Sequence, residues 1–502
     1  MAITDPLAEA PPGPTYLLAR WLFLRLFGVV YLVAFVSLAV QITGLVGDHG
    51  ILPARLFLER ARDLYGGAAY RVFPTLCWLG AGDGMLRALC WGGATLALLV
   101  VAGVAQAPAL ALCWLAYLSL SVVGQTFLWF QWDALLLEAG WLAIFYAPTQ
   151  LVPSLGRERA PSTAMRWLVW WLLFRLMFLS GVTKLASGDP TWRDLTALDY
   201  HFWTQPLPTG PAWYAYWLPE WTHRVMLLVV LVTEVLVPWL IFVPERLGRW
   251  RHGAAAALVF GQVGIALTGN YGFFNVLAVV LCVPLLDDAT LGRVVPLTLE
   301  VGAAEPRWKQ LTLRGLVPAV VLVSTLTFVR EIVQTVPGAR GSFDVPGLEL
   351  VAPFRSINGY GLFRVMTTER PEIVIEGSRD SVAWREYPFR WKPGDVLRRP
   401  RFVAPHQPRL DWQMWFAALD PAGARPWLGA LLERLLEGAP AVVALFQANP
   451  FPEGPPRYVR LAYYQYRFSR PEERARTAAW WRRDPAGYLT RALTLADFRA
   501  AR

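Results

Sequence analysis

Lysine is nearly absent: of the 47 basic residues in this 502-residue chain only Lys184, Lys309 and Lys392 are lysines, so the positive charge is almost wholly arginine. Cysteine is scarce too. Cys77, Cys90, Cys113 and Cys282 show no CxxC spacing and none lies in the last third, which excludes a disulfide framework and a zinc site. GxSxG, HExxH and a glycine-rich phosphate loop are missing, and with them the common serine-hydrolase, zinc-protease and nucleotide-driven chemistries. His49, His201 and His223 are not spaced as metal ligands. No cofactor and no metal are therefore expected. The formal charge of +10 comes from arginines scattered through loops, without a basic helix or an aromatic-basic repeat, so no nucleic acid partner is expected either.

Apolar sequence is what the chain has in quantity. A mean hydropathy of +0.37, with 55% hydrophobic and 17% charged residues, is the composition of a protein whose solvent is largely lipid. Runs of spanning length lie near 21–46, 86–104, 109–128, 132–147, 164–185, 224–243, 253–268, 271–287 and 315–335, the fourth, seventh and eighth being the shortest. The first lacks a small-residue cleavage pattern and reads as an uncleaved anchor. The expected fold is a polytopic α-helical membrane protein of about nine transmembrane helices, residues 1–336, followed by a strand-rich α+β soluble domain, residues 337–502.

Arginine clusters at 157–166, 246–251 and 293–314 fall on one side of a nine-helix body, which the positive-inside rule makes cytoplasmic. That places the N-terminus inside and the tail outside, in a periplasm or an organelle lumen, with a bacterial inner membrane as the expected location. Two long loops face the same side as the tail. One, 47–85, holds a short amphipathic helix near 53–66. The other, 186–223, carries Trp192, Trp203, Trp213, Tyr214, Tyr216, Trp217 and Trp221, read either as an interfacial belt or as a groove for an apolar ligand.

Charges inside the apolar runs cost several kcal/mol each unless paired or hydrated. Asp133 and Glu138 sit in the fourth run, Arg175 in the fifth and Glu234 in the sixth. Counting from the outer ends predicts an ion pair of Arg175 with Glu234 or Glu138, which either fixes helix register or lines a polar cavity. Lys184, at the outer end of the fifth run, either snorkels to the interface or stands as a candidate base.

In the tail, alternation predicts paired strands at 372–377 and 382–391, strand character over 359–366, helices at 412–419 and 426–437, and a strand at 458–468. A small β-sandwich or twisted sheet follows. Arg355, Asn358, Tyr360, Arg390, Trp391, His406, Arg409, Asp411 and Trp412 are its candidate partner-contact residues, because polar and aromatic side chains concentrate there.

Several strings resemble the lipase maturation factor family: Gln41–Gly47 with Gly50–Pro53, Phe130–Glu138, Leu267–Asn275, Pro353–Phe363, Arg385–Gly394 and Ala404–Gln413. The resemblance implies a membrane-bound factor whose tail engages client lipases or other exported hydrolases as they fold. Its eukaryotic members are endoplasmic reticulum proteins. Gly181–Leu185 with Trp192 also resembles a segment of vitamin K-dependent gamma-carboxylase, in which the lysine corresponding to Lys184 is the catalytic base; a second lysine of that segment is replaced here by Thr183. Three functions are thus in play. They rank as a maturation factor acting by binding alone, a membrane enzyme using Lys184 on an apolar substrate, and a transporter using the buried charges, which lacks the expected two-half repeat.

Overall fold

The computed structural model describes residues 15–152, 156–336 and 347–500. Among these, six helices are long and apolar enough to cross a bilayer: Leu17–Ala39, Asp83–Ala102, Gln106–Val123, Thr163–Ala186, Glu220–Phe242 and Arg307–Thr335. The protein is an integral membrane protein, but the count of about nine is not reached. The other three expected runs are helical and fall short. Gln131–Tyr146 extends about 24 Å at 1.5 Å per residue, less than the hydrocarbon thickness of about 30 Å. Phe274–Leu285 is shorter still, and Gly248–Thr268 opens on Arg249, Arg251 and His252. The first run also divides. Its helix ends at Ala39 and restarts over Ile42–Val46, because Gln41 turns its amide to the carbonyls of Ser37 and Gln407, each at 2.7 Å.

Close packing sets the body. The 17–39 helix lies on the 83–102 helix through small residues: a Cβ on Gly93 would stand 2.4 Å from the Phe35 ring, and one on Gly28 would stand 2.9 Å from Val101. Small residues let helix backbones approach where lipid supplies no hydrophobic drive. The amide groups of Leu17, Leu18 and Ala19 donate to the Asp288 carboxylate at 2.8, 2.9 and 3.2 Å, which satisfies the free donors of the helix start and places a negative charge at its positive end. The 163–186 helix is mostly enclosed by its neighbours, whereas 220–242 and 307–335 are peripheral.

The tail holds one four-stranded antiparallel sheet, ordered Arg385–Glu386, Pro371–Ser378, Tyr458–Phe468, Trp481–Tyr488. Helices Arg409–Leu419 and Pro421–Leu436 accompany it. Every residue of the 371–378 strand is buried. One expected strand is not formed and another is cut to two residues. Residues 359–366 have no strand because Asn358 and Tyr360 drop onto the membrane body and Gly361 runs so close to it that an added Cβ would stand 2.9 Å from Thr183 Oγ1. Residues 382–391 pair only at 385–386. The Val382 and Ala383 amides turn to Asp380, both at 2.9 Å, and those of Trp391 and Lys392 to Asp411, at 2.8 and 2.9 Å.

The aromatic loop 186–223 folds into short helices that form a second core with the sheet: Trp192, Phe202, Trp203 and Trp213 pack with Tyr466, Phe468, Trp480 and Trp481. Trp213 and Trp217 both donate to the Ser469 carbonyl, at 3.2 and 3.1 Å. Only Tyr214, Trp217 and Trp221 of this loop's tryptophans and tyrosines remain strongly exposed.

Gly93→Ala should overpack the Phe35 contact and cost about 1–3 kcal/mol. Gly92→Ala, where an added Cβ meets nothing within 4 Å, should be neutral or stabilising by helix propensity. Thermal unfolding of the detergent-solubilised variants compares them.

Candidate functional site

The short 131–146 helix carries both buried carboxylates. Asp133 and Glu138 are five residues apart, about 140° around the helix at 3.6 residues per turn, so they face different neighbours. Asp133 turns toward the 106–123 helix, where Tyr117 OH donates to it at 2.5 Å. Its counter-charge comes from the tail: Arg409 donates from both terminal nitrogens, at 2.6 and 2.7 Å, and also reaches the Phe127 carbonyl at 2.9 Å. The geometry is bidentate and fully enclosed, Arg409 being 1% exposed and Asp133 0%.

Glu138 turns the other way, toward the 163–186 helix, and pairs with Arg175. Of the two partners expected for Arg175, the structure selects this one. The remaining acceptor capacity of Glu138 is filled by the tail: the Asn358 amide at 2.8 Å, Asn358 Nδ2 at 3.1 Å and Tyr360 OH at 2.7 Å. Arg175 in turn donates to the Asn358 carbonyl at 3.1 Å. Two tail segments are thus bonded into the membrane body through one helix.

Glu234 pairs instead with Lys184. Counting inward from the outer ends assumes those ends are level, and they are not: the 220–242 helix begins at Glu220, before the apolar run. Glu234 sits in a π-helical turn, Val232–Leu236, where a Cβ on Gly181 would stand 2.9 Å from Glu234 Cβ. Lys184 is 5% exposed and lies 5.4 Å from the Trp192 ring centre. Nearby, His201 Nε2 meets Tyr271 OH at 3.0 Å, and that hydroxyl donates to Gln205 Oε1 at 2.7 Å. Burial, with Lys184 close by, lowers the His201 pKa to about 4.

A third join, which sequence reading did not find, centres on Arg370. Its guanidinium donates to the carbonyls of Trp203 and Pro206 at 2.8 Å each and to that of Gln205. Glu372 balances Arg370 at 2.9 Å through one oxygen and pairs with Lys392 at 2.7 Å through the other. Nothing in the string Glu369-Arg-Pro-Glu372 signals that Arg370 and Glu372 are wholly buried.

Of the nine candidate tail residues, Tyr360, Arg409, Asp411 and Trp412 are buried. Trp412 stacks edge-on to Trp132, 4.7 Å between centres, and burial pushes the Asp411 carboxyl above its usual range. Arg355 bonds Ser121 Oγ and the Leu128 carbonyl, at 2.5 and 3.1 Å. Arg390 is exposed and Trp391 half-buried. His406, half-buried, meets Ser37 Oγ through Nδ1 at 2.8 Å, and burial with Arg409 nearby lowers its pKa to about 4. Among the described residues no group of three or more His, Cys, Asp or Glu is placed to hold a metal ion.

Arg409→Gln should destabilise the protein by about 3–5 kcal/mol, because it leaves the Asp133 charge buried without its partner. Arg409→Gln with Asp133→Asn should recover most of that loss, read as thermal stability in detergent. The two histidines give a second test. Both titrate near 4 when folded and near 6.5 when unfolded, so below about 6.5 the unfolded chain binds more protons. Stability should fall as pH drops from about 6.5 toward 4, and replacing His201 and His406 with glutamine should flatten that part of the curve.

The family model described as the lipase maturation factor transmembrane domain matches residues 18–293, and that of the lipase maturation factor C-terminal domain matches residues 356–490. Lipase maturation factor 2 of Gallus gallus is 38% identical, over 95% of this chain and 81% of the relative. Lipase maturation factor 2 of Homo sapiens is also 38% identical, over 93% and 81%. Lipase maturation factor 1 of Bos taurus is 35% identical, over 99% and 95%. No solved structure matches. Similarity of this extent through both the membrane body and the tail makes the chain a member of the lipase maturation factor family.

Proposed function

We propose that this protein is a membrane-embedded maturation factor for secreted hydrolases such as lipases, acting by binding rather than by catalysis. The observation that carries this reading is the similarity to relatives named lipase maturation factor, which runs through nearly the whole chain. In this reading residues 1–336 form the transmembrane domain, with the N-terminus cytoplasmic, and residues 337–502 form the extracytoplasmic domain that meets the client, in a bacterial inner membrane here and at the endoplasmic reticulum in eukaryotic relatives. Arginine clusters at 157–166, 246–251 and 293–314 lie an odd number of spans before the tail whether six or nine are counted, which supports an extracytoplasmic tail, while a cytoplasmic N-terminus needs an odd total, with one of the shorter helices crossing as well.

The client surface is assigned to the accessible part of the tail. Arg390, Trp391 and His406 lie there, near Leu397 and Phe402, which are both more than half exposed. Tyr360, Arg409, Asp411 and Trp412 hold that surface in place from beneath. A folding client exposes apolar surface before burying it, and a fixed polar-aromatic face can hold that surface without nucleotide hydrolysis.

The test is the specific activity of exported lipase per milligram of secreted protein, with and without this chain. Maturation predicts that activity per milligram falls when the chain is removed, and that a photo-reactive residue at position 390 captures the lipase. Unchanged activity overturns the proposal. A second reading, Lys184 as a base on an apolar substrate, draws on its burial beside Glu234. Lys184→Arg keeps a cation for Glu234 but no readily deprotonated amine, so retained lipase maturation in that variant sinks the second reading.

A further inference from the structure

A cleft of about 680 Å³ opens between the start of the 131–146 helix, the last turns of the 307–335 helix and the tail segment 348–359. It opens at the C-terminal end of the 307–335 helix, which is of spanning length, where a bilayer surface would lie. The wall carries two arginines, Arg330 and Arg355, and two glutamates, Glu331 and Glu349, so it is dipolar rather than of one sign. Glu331 is held by Arg364 and Arg355 by Ser121 and Leu128. Among the described residues Arg330 has no polar partner, and Glu349 accepts only from the Gly347 amide. Trp129 stands at the rim, 75% exposed, with the Arg355 guanidinium 4.8 Å from its ring centre. Below the rim, Leu322 and Val329 of the 307–335 helix are exposed on its surface.

We propose that this cleft binds the headgroup of a zwitterionic, amine-headed phospholipid. The phosphate sits on Arg330, with Arg355 behind it, and the ammonium lies between Glu349 and the Trp129 face. Guanidinium groups recognise phosphate oxygens through several charge-assisted bonds, while an ammonium is drawn to a carboxylate and to an indole face. A volume of several hundred Å³ suits a ligand of this size, and the acyl chains continue along the lipid-facing side of the 307–335 helix past Leu322 and Val329. A purely anionic headgroup would leave Glu349 facing negative charge. One wall of the cleft is the segment ending at Asn358, whose amide is bonded to Glu138. The lipid therefore touches the membrane body and the tail together, and its binding should stabilise their contact.

The experiment titrates the detergent-solubilised full chain with short-chain phosphatidylethanolamine, short-chain phosphatidylglycerol and soluble phosphoethanolamine, following melting temperature and saturable binding. The proposal expects a rise in melting temperature with phosphatidylethanolamine and at least tenfold weaker binding of the other two. Arg330→Gln should weaken phosphatidylethanolamine at least tenfold while leaving the lipid-free melting temperature unchanged. Glu349→Gln should weaken phosphatidylethanolamine but not phosphatidylglycerol; if Arg330→Gln does not fold, the change in this preference decides alone. Equal binding of the two lipids, binding of soluble phosphoethanolamine as tight as the lipid, or no effect of either substitution overturns it.

Discussion

Two carboxylates on one short helix dictate how the halves of this protein meet. Asp133 and Glu138 are fully enclosed, and an enclosed carboxylate without counter-charge and hydrogen bonds is too costly to persist. The helical body supplies only part of what they need: Tyr117 for Asp133 and Arg175 for Glu138. The rest arrives from Arg409, Asn358 and Tyr360. Of the charges that suggested a transport path, Asp133, Glu138 and Arg175 are thus engaged in holding the tail, which cannot leave without stripping Asp133 of its counter-charge and Glu138 of three hydrogen bonds.

The other contacts follow from that anchoring. Once Arg409 is seated, the preceding loop is carried along the body: the Gln407 amide donates to Ser37 Oγ at 2.9 Å, the Arg409 amide to Gln41 Oε1 at 2.9 Å, and Asn270 takes the amides of Val403 and Ala404 at 2.7 and 3.1 Å. The sheet is then close enough for Arg370 to bind the 186–223 loop and for the loop's tryptophans to build a core with it. A surface loop bonded this often along its length loses the mobility loops ordinarily have. The exposed residues around 390–402 therefore sit on a rigid mount, which lowers the ordering cost of any partner that binds there.

Much of this was legible in the sequence, in parts. The apolar runs gave the helices, and the intramembrane charges were singled out because their cost is independent of context. The strand over 458–468 was readable from its alternation alone. What could not be read was partnership across the chain. Glu138 and Arg175 are 37 residues apart, but Asp133 and Arg409 are separated by 276, and no local pattern links them. The same gap explains 359–366, whose alternation looks like a strand but whose polar groups are claimed by the body. Aromatic density in 186–223 matched an interfacial belt because packing against a sheet and packing against headgroups favour the same residues. The span count failed for a different reason: hydropathy marks burial, and a helix enclosed by protein is as apolar as one enclosed by lipid.

Separations this large also constrain how the fold is reached. Asp133 and Glu138 are synthesised long before Arg409 and Tyr360, at translation rates of about 5–20 residues per second. During that interval both carboxylates must be protonated, hydrated or provisionally paired, since a bare buried charge is not tolerated. The native body is therefore completed only when the tail docks. Non-local contacts of this kind are slow to form and are rewarded late, so the helices and the tail belong to one cooperative unit rather than to a membrane anchor with a domain attached. Similarity to the relatives through both parts accords with that coupling: a tail without Asp133 and Glu138 to receive it, or a body without Arg409 to neutralise it, is half of one electrostatic structure.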